Sequence, residues 1–155
     1  MPNLILTLLL CFSLTAYSQT YSKYNGKKES SKTTVRTEDG KTVEKLIMIA
    51  EDFLNKKQFT EAAKYYTEAL IHKIDVLAIT YKRGMTYFFA AEHEKAIADF
   101  NSILPIYSKP EEVYFTRGLC KYNLQDREGA CEDFALSRSL GKDIDPKLSS
   151  SMCGM

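Results

Sequence analysis

The sequence predicts an all-α fold, a right-handed α-solenoid of three helical hairpins followed by a short C-terminal capping helix. Three observations lead there. Arg83-Gly84 and Arg117-Gly118 stand 34 residues apart, and similar residues follow each at matching offsets. Tyr87, Ala96, Asp99 and Phe100 follow the first pair; Tyr122, one place late, then Ala130, Asp133 and Phe134 follow the second. One period earlier, Ala50 stands where the glycines were, and Ala62 and Tyr66 match Ala96 and Phe100. Periods of about 20 to 50 residues mark stacked-repeat architectures, in which each unit buries its apolar face against the next.

The elements follow in order. Leu46, Ile49, Ala50 and Phe53 fall at i, i+3, i+4 and i+7 of a first helix beginning near Thr42. A polar turn at Lys56-Lys57-Gln58 separates it from a second helix carrying Phe59, Ala62, Ala63, Tyr66, Ala69 and Leu70. Asp75 suits the N-cap of a third helix reaching Ala90, and Glu92-His93-Glu94 opens a fourth. That helix stops near Leu104, because Pro105 cannot continue a helix interior. Pro110 suits the first turn of a fifth helix, which ends near Asn123. Asp126 caps a sixth and Gly141 terminates it. Asp145-Pro146 starts a terminal helix reaching Cys153. The expected units are hairpins at 42–75, 76–109 and 110–143, with the cap at 144–155. About three repeats are near the minimum for a stable stack, whose open end needs shielding.

The N-terminal part has a different composition. Leu4 to Ala16 is an apolar run too short to cross a hydrocarbon core as a helix, and Ala16-Tyr17-Ser18 forms a small-x-small site. Residues 1–18 read as a signal peptide cleaved after Ser18, which implies an exported protein, periplasmic or secreted. An uncleaved anchor is the alternative, since Met1-Pro2-Asn3 lacks the usual basic side chain. Leu10, where lipoprotein processing needs a small residue, argues against lipidation at Cys11. Residues 19–41 are rich in Ser, Thr, Lys and Tyr, bury little apolar surface, and read as a flexible basic linker. The formal charge of the chain is +1, and its body has no concentrated basic face, so nucleic-acid binding is set aside. Membrane contact is expected only through the leader before cleavage.

The landmarks resemble the tetratricopeptide repeat (TPR) family over about 100 of the 155 residues. The signature reads Thr80, Arg83, Gly84, Tyr87, Ala96 and Phe100 in the middle copy. In the last it reads Tyr114, Arg117, Gly118, Lys121, Ala130 and Phe134, and in the first Leu46, Ile49, Ala50, Phe53, Ala62, Tyr66 and Ala69. Lys121 departs from the usual aromatic. Small residues belong where paired helices approach, with Gly84 opposite Ala96 and Gly118 opposite Ala130. Arg83 with Asp99, and Arg117 with Asp133, read as ion pairs joining neighbouring helices. The stretch from Gly129 to Phe134, followed by Ser139-Leu140-Gly141, is similar to the end of short exported repeat proteins of Gram-negative, Bacteroidota-like bacteria.

A second apolar stripe runs along the first helix of each hairpin. In the middle copy it is Tyr81, Met85 and Phe88, joined by Phe89; one period on it is Phe115, Leu119 and Tyr122. One period back stand Ile47, Glu51 and Leu54. In the family these helices line a concave groove that takes peptides, so the resemblance implies an aromatic groove for a protein or peptide partner. Two alternatives remain: the chain covers the stripe itself, through neighbouring helices, the terminal cap or Tyr21 and Tyr24 of the linker, or the same surface builds a homo-oligomer or docks on an envelope assembly. Ile47, Glu51, Lys82, Glu112 and Thr116 do not make the carboxylate clamp of one subclass.

Without the leader the chain keeps Cys120, Cys131 and Cys153, an odd number. A Cys131–Cys153 disulfide stapling the terminal helix and three reduced thiols are both open. Cys120 stands about 200° round the helix from Gly118 and should point away from its companion helix. His72 and His93 lack ligand spacing, so no metal or other cofactor is expected. No nucleophile elbow or phosphate loop is present, and Glu111-Glu112 suits a helix start. The expectation is a non-catalytic binding scaffold.

Overall fold

The computed structural model describes residues 43–154, which form seven helices and no strand. These are α1 (Val43–Asn55), α2 (Phe59–Ile71), α3 (Val76–Phe89), α4 (His93–Ile103), α5 (Pro110–Asn123), α6 (Arg127–Ser139) and α7 (Pro146–Cys153). The expected leader, its cleavage site and the linker lie outside the described residues. Helices α1/α2, α3/α4 and α5/α6 pair as hairpins, and α2/α3, α4/α5 and α6/α7 contacts join them in series.

The helix ends follow local chemistry. Pro110 occupies the first turn of α5, where its missing N–H is no loss. The Asp126 carboxylate accepts a hydrogen bond from the Gly129 amide at 3.0 Å. Gly141 closes α6 at φ 100°, a conformation open to a residue without a Cβ. Asp75 precedes α3 as expected, but it has φ 45° and its side chain makes no capping bond, because the left-handed backbone turns it out of reach.

The turns inside the hairpins repeat more strictly than their residues do. Lys57, Ala91 and Gln125, one period apart, are all left-handed, at φ 57°, 58° and 66°. The following amide reaches back in each case, Gln58 to the Phe53 carbonyl, Glu92 to Tyr87 and Asp126 to Lys121, at 2.8 to 3.0 Å. This is the helix-ending motif that normally recruits glycine. Each non-glycine residue here bears a steric cost of about 1 kcal/mol.

The core is divided into three layers. Val43, Leu46, Ala50, Tyr66 and Ala69 from α1 and α2 are joined by Ile79 of α3. Ala96, Phe100 and Ile103 of α4 are joined by Val113 and Cys120 of α5, with α3 side chains packed alongside. Ala130 and Phe134 of α6 are joined by Ile144, with Met152 and Cys153 of α7 packed against them. Each layer therefore needs the helix that comes next. Val113 lies one period after Ile79, and α7 falls where the first helix of a fourth repeat would begin. All nine repeat-defining positions, Ala50, Ala62, Tyr66, Gly84, Ala96, Phe100, Gly118, Ala130 and Phe134, are buried. A Cβ on Gly84 would stand 2.8 Å from the Phe100 ring, and one on Gly118 2.7 Å from the Phe134 ring. The absent side chains thus make room for the Phe100 and Phe134 rings of the opposing helices.

A guanidinium spans each of the two junctions between hairpins. Arg83 donates to both Asp99 oxygens at 2.8 and 2.6 Å and to the Thr67 hydroxyl at 3.1 Å, linking α3 to α4 and α2. Arg117 repeats this with Asp133 at 2.8 and 2.6 Å and with Asn101 at 2.6 Å, linking α5 to α6 and α4. Lys121, the departure from the family pattern, is a third element of this network: its ammonium lies 3.1 Å from Asp133 and donates to the Gly129 carbonyl at 3.2 Å. Cys131 and Cys153 form a disulfide that ties α6 to α7, and Cys120 stays a thiol inside the second layer.

Stability measurements on three variants check these contacts. Asp133 is 1% exposed and holds two cations, so Asp133→Ala should lower unfolding stability by about 3 kcal/mol in urea titrations. Asp52→Ala, which removes an exposed pair with Lys56, should change it by less than about 0.5 kcal/mol. Ala91→Gly should stabilise the protein by up to about 1 kcal/mol in the same assay, because glycine relieves the left-handed turn; a loss of stability would contradict this reading of the turn.

Candidate functional site

Helical spacing puts Tyr81, Met85 and Phe88 on one face of α3, and Phe115, Leu119 and Tyr122 on the matching face of α5. All six are half-buried. The first three pack against the second core layer and the other three against the third. The stripe is thus one wall of the core and a surface at once. Phe89 differs, because it lies one residue, about 100°, further round α3. It is 54% exposed and stacks on Phe59 of α2 at 6.0 Å, beside the α3–α4 turn, while its ring also meets Phe88 at 5.4 Å.

Two loop residues that sequence reasoning missed cover part of this face. Tyr107, between α4 and α5, stacks on Tyr81 with centroids 5.0 Å apart. Lys142, just past α6, holds its ammonium 5.0 Å over the Phe115 ring and donates to both Glu112 oxygens at 2.8 and 2.7 Å. Both residues follow the end of a second helix by three or four positions, and that recurring place is the one signal in the sequence. Burial raises the Tyr81 phenol pKa, with Glu112 adding to it, and burial beside Tyr81 raises that of Tyr107. Both phenols stay neutral. Met85, Leu119 and Tyr122 have no loop ring or ammonium stacked on them among the described residues.

The first hairpin contributes a polar end. Glu51 of α1 and Lys82 of α3 pair at 2.5 Å, with side chains 46% and 42% exposed. Thr116 turns its hydroxyl to the Glu112 carbonyl at 3.0 Å. Of the positions that could grip a carboxylate, the one cation, Lys82, already faces an internal carboxylate. Tyr66 lies in the first core layer, where the later repeats have Phe100 and Phe134. Its hydroxyl has no hydrogen-bond partner among the described residues, and burial, with Glu51, pushes its pKa up to about 12.

Other chemistry-bearing groups are dispersed. Among the described residues no three His, Cys, Asp or Glu side chains come together in a way that could hold a metal ion. Burial pushes the Cys120 thiol up to about 12, which keeps it protonated and unreactive at neutral pH. An open depression of about 330 Å³ is lined by Thr60, Ala63, Lys64, Thr67, Tyr87, Glu92 and Lys95. There Lys95 pairs with Glu92 and stands 5.4 Å over the Tyr87 ring. No helix among the described residues is long and apolar enough to cross a membrane.

Tyr66 and Cys120 together set an alkaline limit. Their folded pKa values lie above the unfolded ones of 10.0 and 9.0, so the folded state retains protons that the unfolded chain releases. Their contribution is fully present below about pH 9 and is lost as pH rises toward 12. Tyr66→Phe should raise stability at pH 7 by about 1 kcal/mol, since it deletes a buried unpaired hydroxyl, and should flatten the alkaline loss. Urea midpoints between pH 7 and 11 measure both effects.

Comparison with known proteins places the fold. No family model matches the chain, and no curated protein matches its sequence. Solved TPR domains match in structure. The first TPR of Spaghetti (RPAP3), solved bound to the HSP90 peptide SRMEEVD, has a TM-score of 0.60 at 18% identity, over 72% of this chain and 87% of that one. The Sgt2 TPR domain from Aspergillus fumigatus has a TM-score of 0.59 at 18% identity, over 81% of each chain. The fold is therefore that of a tetratricopeptide repeat domain.

Proposed function

We propose that this protein is a non-catalytic scaffold that holds an apolar segment of a protein or peptide partner across α3 and α5. The observation that carries the reading is the shared face itself: six apolar side chains from two successive first helices, four of them aromatic. Met85, Phe88, Leu119 and Tyr122 are the anchors, Tyr81 and Phe115 the floor, and Phe89 the rim. Aromatic anchors of this kind carry much of the energy in helix-in-groove and extended-peptide recognition.

The TPR domain of RPAP3 was solved with the peptide SRMEEVD, three of whose last four residues are acidic. This chain favours different chemistry, because Glu51 engages Lys82 and Lys142 engages Glu112. An acidic tail would have to compete with both internal carboxylates. Export to the periplasm or beyond belongs to the same proposal, supported by the apolar leader of the sequence and by the Cys131–Cys153 disulfide, a bond typical of oxidising compartments.

The test begins with peptides selected from a displayed random library against the purified protein. The selected peptides should be apolar and should not depend on a free C-terminal carboxylate. Phe88→Ala combined with Tyr122→Ala should weaken their binding by roughly 30-fold or more while the helical circular dichroism is retained. Equal affinity for the double variant would remove the groove assignment.

A further inference from the structure

We propose that the Cys131–Cys153 disulfide is a reducible latch that holds α7 over the open end of the stack. α7 packs on the third layer. Met152 and Cys153 are half-buried against Ala130, Phe134 and Ile144, whereas Lys147 and Ser151 are exposed. Its main packing partner is α6, and Lys147 at its start donates its amide to the Asp145 carboxylate at 2.8 Å. The eight residues of α7 are fewer than an isolated helix needs to persist in water. A helix this short depends on its attachment to α6, and the covalent bond sits at the far end of the helix from the chain connection.

The bond is also within reach. Cys131 and Cys153 line an open depression of about 370 Å³ together with Arg127, Glu128, Ser151, Met152 and Gly154. Arg127 brings positive charge to the place where a departing thiolate would form, which eases its formation, while Glu128 opposes it. Among the described residues the remaining thiol is sequestered: Cys120 is fully buried in the second layer and cannot join the exchange. The three described cysteines are thus sorted into an accessible pair and an inaccessible third.

The reductant is a dithiol, either a small molecule or an oxidoreductase of that class. Its thiolate attacks one sulfur of the disulfide, the S–S bond breaks, and the departing sulfur leaves as a thiolate that takes up a proton. The second thiol of the reductant then attacks the mixed disulfide. The products are two cysteine thiols in this chain and a disulfide in the reductant. Release of α7 uncovers the Ala130, Phe134 and Ile144 cluster beside Leu119 and Tyr122.

The experiment treats the folded protein with dithiothreitol, alkylates it with iodoacetamide without denaturant, and follows amide hydrogen exchange by mass spectrometry. The expected result is alkylation of Cys131 and Cys153 but not Cys120. The amides of α7 should exchange roughly tenfold faster or more, while those of α1 to α5 keep their protection. The variant with Cys131→Ser and Cys153→Ser should show the same exchange pattern without reductant. The proposal is overturned if the bond resists reduction in the folded protein, if reduced α7 keeps its protection, or if protection falls throughout the chain. None of these readouts depends on the partner-binding assignment.

Discussion

A pair of antiparallel helices cannot enclose the large side chain that its second helix presents, and this constraint governs the molecule. Tyr66, Phe100 and Phe134 each stand at the same place in the repeat, and each is buried only in a layer that borrows side chains from the following element. Ile79 completes the first layer, Val113 and Cys120 the second, and α7 with Ile144 the third. Stability in such a stack comes from junctions as much as from hairpins. The short terminal helix is accordingly the last partner in a series, tied on by a disulfide where a full helix would have supplied area.

The junctions have polar geometry as well as apolar fill. Arg83 and Arg117 each bind a carboxylate in bidentate fashion on one side and a neutral acceptor, Thr67 or Asn101, on the other. Planar guanidinium geometry fixes the approach of three helices at once, which a flexible ammonium would not do. Gly84 and Gly118, the residues next in sequence, let the rings of Phe100 and Phe134 come close to the same helices. The recurring Arg-Gly dipeptide therefore encodes two contacts of one junction, a hydrogen-bonded bridge and a steric allowance.

Much of this was legible in the sequence because the repeat writes it several times. Helix order, the termini at Pro110 and Gly141, the Arg–Asp pairs and the small positions all followed from period and helix chemistry. The turns were less legible. Their left-handed position holds Lys57, Ala91 and Gln125, none of them glycine or asparagine, so the usual turn signal was absent although the geometry recurs. The cysteine pairing stayed open in the sequence, because connectivity depends on which face of α6 meets α7. The candidate site was legible in its helices and not in its loops, since the aromatic stripe has helical spacing while Tyr107 and Lys142 reach it from irregular segments.

Those loop residues bear on how a stack of this kind acquires selectivity. The faces of α3 and α5 that bind the core also form the stripe, so Tyr81 and Phe115 cannot be varied freely without disturbing the layers beneath them. Tyr107 and Lys142 lie outside the helices, and neither is among the fully buried residues of a layer, although Tyr107 packs on the second layer and Ile144, two residues past Lys142, belongs to the third. One presents a neutral ring and the other a cation held by Glu112, giving neighbouring repeats chemically different covers on similar floors. A partner segment would meet a ring at one repeat and an ion pair at the next. On the proposed reading, selectivity would then arise chiefly from the connections between repeats, whose side chains differ where they meet the stripe, while the first helices supply a common apolar base.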